Sequence, residues 1–279
     1  MSQSGENVEV WSGKSRTDEN FPVGSRLIAR KHRDPIHRFY TFARNADDIA
    51  DSASLSPAEK LARLDVMEGV LLGRLAAGSP SAAALRVSLA QTGVTPKHAT
   101  DLLIAFRQDS VKSRYATIDE LYNYCHYSAV PEGRYVLDLH GEHHETHSPS
   151  DALCISLQIL NHMQDCTNDL KDLDRCYLPQ ALLDHFGART ADLLLSAETP
   201  AMRRVFTTLL DRIDRMNHAA SELPEIVKDR RLRVETGVIH GLSKRLARRL
   251  AQNDPISHRV KLSKSDAMFS ALGSVLYLV

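Results

Sequence analysis

Two stretches of the chain carry aspartates at spacings that a helix would turn onto one face. Tyr40, Arg44, Asp47 and Asp51 follow one another at steps of four, three and four residues. Gln158, Asn161, Asp165 and Asp169 follow at steps of three, four and four. Side chains at such steps line one side of an α-helix. Two carboxylates one turn apart repel, at a cost of a few tenths of a kcal/mol, unless a cation lies between them. Magnesium suits such a place, because it takes hard oxygen ligands from one or two carboxylates, waters and phosphate groups. Two helices of this kind facing each other in a bundle would clamp a metal-bridged diphosphate. They would also stabilise it as a leaving group while charge grows on its oxygens. One acidic pair alone would read as a solvated helix face. Here a tyrosine, an arginine and two amides run in line with the aspartates, and apolar residues flank them, as in residues 153–160. Such a polar stripe in an apolar helix predicts a lined cavity. Mg2+ is therefore the expected cofactor, with Asp47, Asp48, Asp51, Asp165 and Asp169 as candidate ligands. Arg44, Gln158 and Asn161 are candidates for holding the diphosphate.

The elements that must position these residues are helices. Apolar residues recur at three and four in residues 36–50, 57–77, 97–108, 118–129, 151–173, 191–218 and 223–252. Alternating strand patterns are absent, and short Gly- and Pro-containing breaks fall at 54–57, 78–80, 93–96, 141–149 and 253–255. Ser56-Pro57-Ala58-Glu59 and Thr95-Pro96 are helix starts. The fold class is all-α. No Gly/Ser linker divides the chain, so residues 20–279 read as one helical bundle around a central cavity, preceded by a polar N-terminal leader over 1–19.

Lys+Arg and Asp+Glu number 35 each, so the chain is formally neutral. That balance speaks against nucleic acid as a partner and against a strongly electrostatic membrane anchor. Four cysteines without a CxxC pair read as reduced thiols of a cytosolic protein. The first twenty residues lack an apolar signal core, and no apolar run is long enough to span a bilayer. A cytoplasmic location is expected. Residues 267–279 are apolar but short, and predict a terminal helix packed on the core.

At these motifs the sequence resembles the squalene/phytoene synthase family, over about residues 20–272. The family's first motif, an aromatic, an arginine and DxxxD, is matched by Tyr40, Arg44, Asp47 and Asp51. Its QxxN, second DxxxD and YLP tail are matched by Gln158, Asn161, Asp165, Asp169 and Tyr177-Leu178-Pro179. Tyr124-Cys125-His126-Tyr127-Ser128-Ala129 is similar to the YCxxVAG helix, which makes Tyr127 the counterpart of a catalytic, proton-shuttling tyrosine. Asn20 stands where the family commonly has a Ser before an N-terminal Phe, and it joins the diphosphate-binding candidates. The VAGxVG pattern becomes Ser128-Ala129-Val130-Pro131-Glu132-Gly133, and Gln164 replaces the Arg usual in phytoene synthases. With residues 19–23, 106–109 and 114–115, Gln164-Asp165 resembles the bacterial hydroxysqualene synthase branch. That resemblance implies a chain that ionises presqualene diphosphate, rearranges the cyclopropylcarbinyl cation and quenches it with water, without NADPH. Tyr40, Phe39 and Phe42 would then be cation neighbours.

Three other readings stay open, although relatives of the third kind keep the fold and usually lose the aspartates that remain here. One is head-to-head condensation of two farnesyl diphosphates, another a phytoene-type synthase, and the third a non-catalytic assembly factor. Arg114, Lys171 and Arg175 lie close to the motifs and are further candidates for gripping diphosphate. His143 and His147 have zinc-like spacing, but Gly141 and Pro149 around them favour a loop. The basic runs 228–233 and 244–249 read as solvated helix faces; the alternative is peripheral contact with anionic lipid, since the implied product is insoluble. Trp11 lies in the leader, with no chemistry assigned.

Overall fold

The structure, a computed structural model, describes residues 7–10, 25 and 27–274. Their only strand-like pairing is a single bridge between Arg114 and Cys176, so the all-α expectation holds. The described chain packs as two compact units. The first takes the residues up to Lys112 together with Arg134–Gly141, and the second takes Ser113–Gly133 and the residues from Glu142 on. No linker marks the passages between units because each falls inside or directly beside ordered structure.

The first unit contains α1 (Arg30–Asp51), α2 (Pro57–Leu71), α3 (Pro80–Thr92) and α4 (Lys97–Asp109). It also takes the later part of α6 (Val130–His140), which follows α5 (Ile118–Ser128). Phe42, Ile49, Leu64, Met67, Leu85, Leu102 and Leu103 are sealed in its core. The predicted start at Ser56 is a full capping box with Glu59. Phe39 stacks on Tyr135 at 4.0 Å, and the Tyr135 hydroxyl donates to the Pro35 carbonyl at 3.1 Å. Part of the leader is fixed as well. Glu9 accepts from the Ser79 hydroxyl at 2.6 Å and the Ser81 amide at 2.7 Å, which places a carboxylate at the start of α3. Trp11 lies outside the described residues.

The second unit adds α7 (His147–Leu173), α8 (Gln180–Phe186), α9 (Pro200–Ala220), α10 (Leu223–Ile226), α11 (Arg230–Gln252) and α12 (Lys264–Ser274). Helix α7 packs on α9 and α11. Three expectations need correction. The segment 141–149 is only partly a loop, because a 3-10 turn covers His144–Thr146 and α7 begins at His147. Pro149 permits this, since a proline in the first helical turn forfeits no intrahelical bond. The run 191–218 breaks before Thr199-Pro200, where the Thr199 hydroxyl caps α9. The run 223–252 breaks at Asp229, whose carboxylate accepts from the Arg231 and Leu232 amides and opens α11.

Gly133 shows how closely α6 and α7 approach within this unit. A Cβ there would lie 2.6 Å from Cys154 Sγ and 2.7 Å from Ser150 Oγ. Gly133→Ala is expected to cost about 1–3 kcal/mol, the usual range for overpacking. Urea denaturation should show this loss, and adding Ser150→Ala should return part of it.

Candidate functional site

The first acidic stripe is built on α1 and extended by α4. Arg44 donates from Nε at 3.0 Å and Nη2 at 2.8 Å to Asp48 Oδ1. Its Nη2 also lies 2.6 Å from Asp47 Oδ2. Asp48 was expected among the metal ligands. It is buried, and its carboxylate accepts from the Arg44 guanidinium that also reaches Asp47. Asp47 keeps 31% of its side-chain surface open. Its carboxyl is nevertheless pushed well above the ordinary range by burial and by Asp51, with Asp109 and Asp48 adding to the effect and Arg44 opposing it. Asp109, at the end of α4 and itself buried, is the residue that sequence reasoning left without a role. Of the expected cation neighbours, Phe39 and Phe42 are core residues, and Tyr40 is half-buried.

The second stripe is built on α7. Asp165 is gripped in a fork by Arg259, whose Nε pairs with Oδ1 and whose Nη2 lies 2.8 Å from Oδ2. The preceding residue, Gln164, is buried and donates from its side-chain amide to the Val260 carbonyl. Neighbouring residues of α7 thus hold neighbouring residues of the segment after α11. Arg259 received no role from the sequence, because nothing in a loop arginine's surroundings marks it. Gln158 Nε2 lies 3.3 Å from His162 Nε2. Asn161, Asp165 and Asp169 are partly exposed along the same helix.

Below the stripe lies an aromatic cluster. The His162 ring stacks on Tyr177 at 3.6 Å, Tyr115 stacks on Tyr177 at 5.3 Å, and the Tyr124 and Tyr177 hydroxyls are 3.3 Å apart. Arg175 is buried and donates to the Tyr177 hydroxyl at 3.1 Å. Burial, with Arg175 adding to it, pulls His162 down to about 3. Its imidazole is therefore neutral at physiological pH. Arg114 pairs with the Asp174 carboxylate at 2.6 Å. Asp174 is the C-cap of α7 with φ 49°, and Lys171 is exposed. Tyr127 is half-buried near the end of α5, with the His126 ring edge-on at 5.4 Å. Asn20 lies outside the described residues.

The donor sets fit a hard divalent cation. Asp47 is pressed by three carboxylates and relieved by Arg44, a balance that a cation would correct. Among the described residues no three His, Cys, Asp or Glu side chains converge as a preformed metal site. Magnesium bound through few carboxylates, with waters and phosphate oxygens completing its shell, needs no such cage. His143 and His147 form none either.

An Arg-backed DxxxD on one helix and a QxxN–DxxxD on another resemble the motifs of the squalene/phytoene synthase class. The comparison agrees: residues 14–266 match the squalene/phytoene synthase family, and the chain belongs to it. It is 45% identical over 267 residues to the hydroxysqualene synthase of Rhodopseudomonas palustris, covering 96% of this chain and 91% of that one. It is 42% identical over 260 residues to the hydroxysqualene synthase of Sinorhizobium fredii, covering 92% and 88%. Among solved structures it is similar to a squalene synthase of Alicyclobacillus acidocaldarius, with TM-score 0.74 and 31% identity over 85% of this chain and 91% of that one. A dehydrosqualene synthase shares the fold at TM-score 0.79 and 18% identity, over 94% and 92%.

Proposed function

We propose that this chain converts presqualene diphosphate and water to hydroxysqualene and diphosphate. The observation carrying this reading is similarity along nearly the whole chain to proteins named hydroxysqualene synthase, with all four stripe aspartates intact. Asp47 and Asp51 on one stripe, and Asp165 and Asp169 on the other, would hold magnesium, while Asp48 keeps Arg44 in place. Magnesium would supply charge neutralisation to the departing diphosphate. Arg44, Gln158, Asn161 and Arg175 would orient the diphosphate oxygens, with Asn20 a further candidate. As the C–O bond breaks, both its electrons leave with the diphosphate. The rearranged carbocation then bonds to a water oxygen, and that water gives up a proton. Tyr127 is assigned to receive and pass on the proton. No reductant is consumed, because the cation is closed by oxygen rather than hydride.

The protein is proposed to work in the cytoplasm, touching a membrane only peripherally. Among the described residues no helix is long and apolar enough to cross one. Incubation with presqualene diphosphate and magnesium, without NADPH, is expected to yield hydroxysqualene by mass analysis. If presqualene diphosphate is left intact while farnesyl diphosphate alone is consumed, the chain performs the condensation instead.

A further inference from the structure

Helix α12 meets α11 with a polar face. Among its described side chains the buried ones are Asp266, Ser270 and Ser274, one turn apart, while Met268 and Phe269 stand 55% and 52% exposed. Two residues of this polar side are held by arginines of α11. Arg249 donates to Asp266 at 2.7 Å and Arg245 to the Ser270 hydroxyl at 3.2 Å. A Cβ on Gly241 would come within 3.0 Å of Ser270 Oγ. The helix therefore cannot roll its apolar side inward without breaking these contacts. The Arg245 guanidinium lies over the Phe269 ring at 5.3 Å, and Lys244, Arg248, Lys261 and Lys264, nearby in sequence on α11, the connecting segment and α12, are exposed. Residues 244–274 hold seven Lys and Arg against two Asp, in a chain that is neutral overall.

We infer that α12 docks this protein onto an anionic lipid surface, Met268 and Phe269 entering the headgroup–acyl boundary and the surrounding cations meeting lipid phosphates. An exposed apolar helix face bordered by Lys and Arg fits such an interface. A second copy of the chain fits poorly, because pairing this face with itself would bring two basic surfaces together. The inference rests on the proposed function for its purpose, release of a water-insoluble product, but its test needs no turnover.

The full chain should co-sediment with vesicles of phosphatidylglycerol and phosphatidylcholine, weakly with phosphatidylcholine alone, and less as salt rises. Met268→Ser with Phe269→Ser should lower partitioning by roughly tenfold or more, given the loss of two large apolar side chains. Lys261→Glu with Lys264→Glu should lower it on the anionic vesicles only. Melting curves check that the variants fold. As a readout that keeps the face apolar, Phe269→Trp in a Trp11→Phe background should be quenched by brominated phosphatidylglycerol. Binding unaffected by both double variants, no quenching, or a dimer in light scattering that the serine variant abolishes would each overturn the inference.

Discussion

Asp47→Asn is expected to lower turnover while raising stability. The folded state holds the Asp47 proton more tightly than the unfolded chain does, because burial and the neighbouring Asp51, Asp109 and Asp48 disfavour its charge. Such a group favours the fold at low pH, and that contribution is lost as pH rises through its folded pKa. Without metal, holding this carboxyl among like charges therefore opposes folding above the ordinary carboxylate range, and an amide of the same shape relieves that. A melt in chelator should show a gain of about 0.5–2 kcal/mol, the usual return from relieving a charge clash. Magnesium-dependent turnover should fall by a factor on the order of 10²–10³, the scale of losing one preorganised electrostatic contact to a leaving group. Asp165→Asn should differ in sign on the stability axis. Its carboxylate carries the Arg259 fork, and losing a charge-assisted pair of this kind costs about 1–2 kcal/mol, discounted because both side chains are near a third exposed. Two substitutions with equal loss of turnover and opposite shifts in melting would distinguish the stripes. Unchanged turnover in the double variant would sink the enzymatic reading.

The second large effect is acid lability at His162. Its imidazole is held neutral, with burial and Arg175 pulling it down to about 3, whereas an unfolded histidine titrates near 6.5. The unfolded chain then binds the extra proton first, so stability rises with pH across that window. The full contribution is present above about pH 6.5 and is lost as pH falls toward 3. By pH 5 the loss from this one group amounts to about 2 kcal/mol. His162→Phe keeps a ring against Tyr177 and cannot take up a proton. Denaturation midpoints measured from pH 7 to pH 4 should fall more steeply for the parent chain than for this variant. Parallel curves would show that His162 does not govern the acid limb.

The stripes were readable because they combine helical spacing with residue types that repel one another, and both features lie within a single helix. Asp109, read only as part of the 106–109 segment, received no role for the opposite reason. It reaches the first stripe from another helix, and its pressure on Asp47 exists only once α1 and α4 are packed. Arg259 and its grip on Asp165 belong to a loop, where no periodicity marks a face. Helix α3 was missed because its buried face includes Ser81 and Ser88, which hide the apolar repeat. Residues 267–279 were expected to form a terminal helix packed on the core. Helix α12 does pack on α11, its buried residues among the described side chains being Asp266, Ser270 and Ser274, while 275–279 lie outside the described residues. Hydrophobic pattern predicts burial where a helix meets a core. It does not where a helix meets the arginines and a glycine of a neighbour.

The division of the chain into interleaved units has a consequence for biosynthesis. The first unit is not finished when Lys112 has been made, because residues 134–141 belong to it. Until they arrive, Phe39 lacks the Tyr135 ring, and His98 lacks the Asp138 carboxylate that faces it at 2.6 Å. A nascent chain must therefore keep α1 to α4 waiting, with part of their apolar surface uncovered, while the whole of α5 is translated. Domains that fold as they emerge are shielded early from aggregation; this one is closed late, by a helix that the ribosome delivers out of turn.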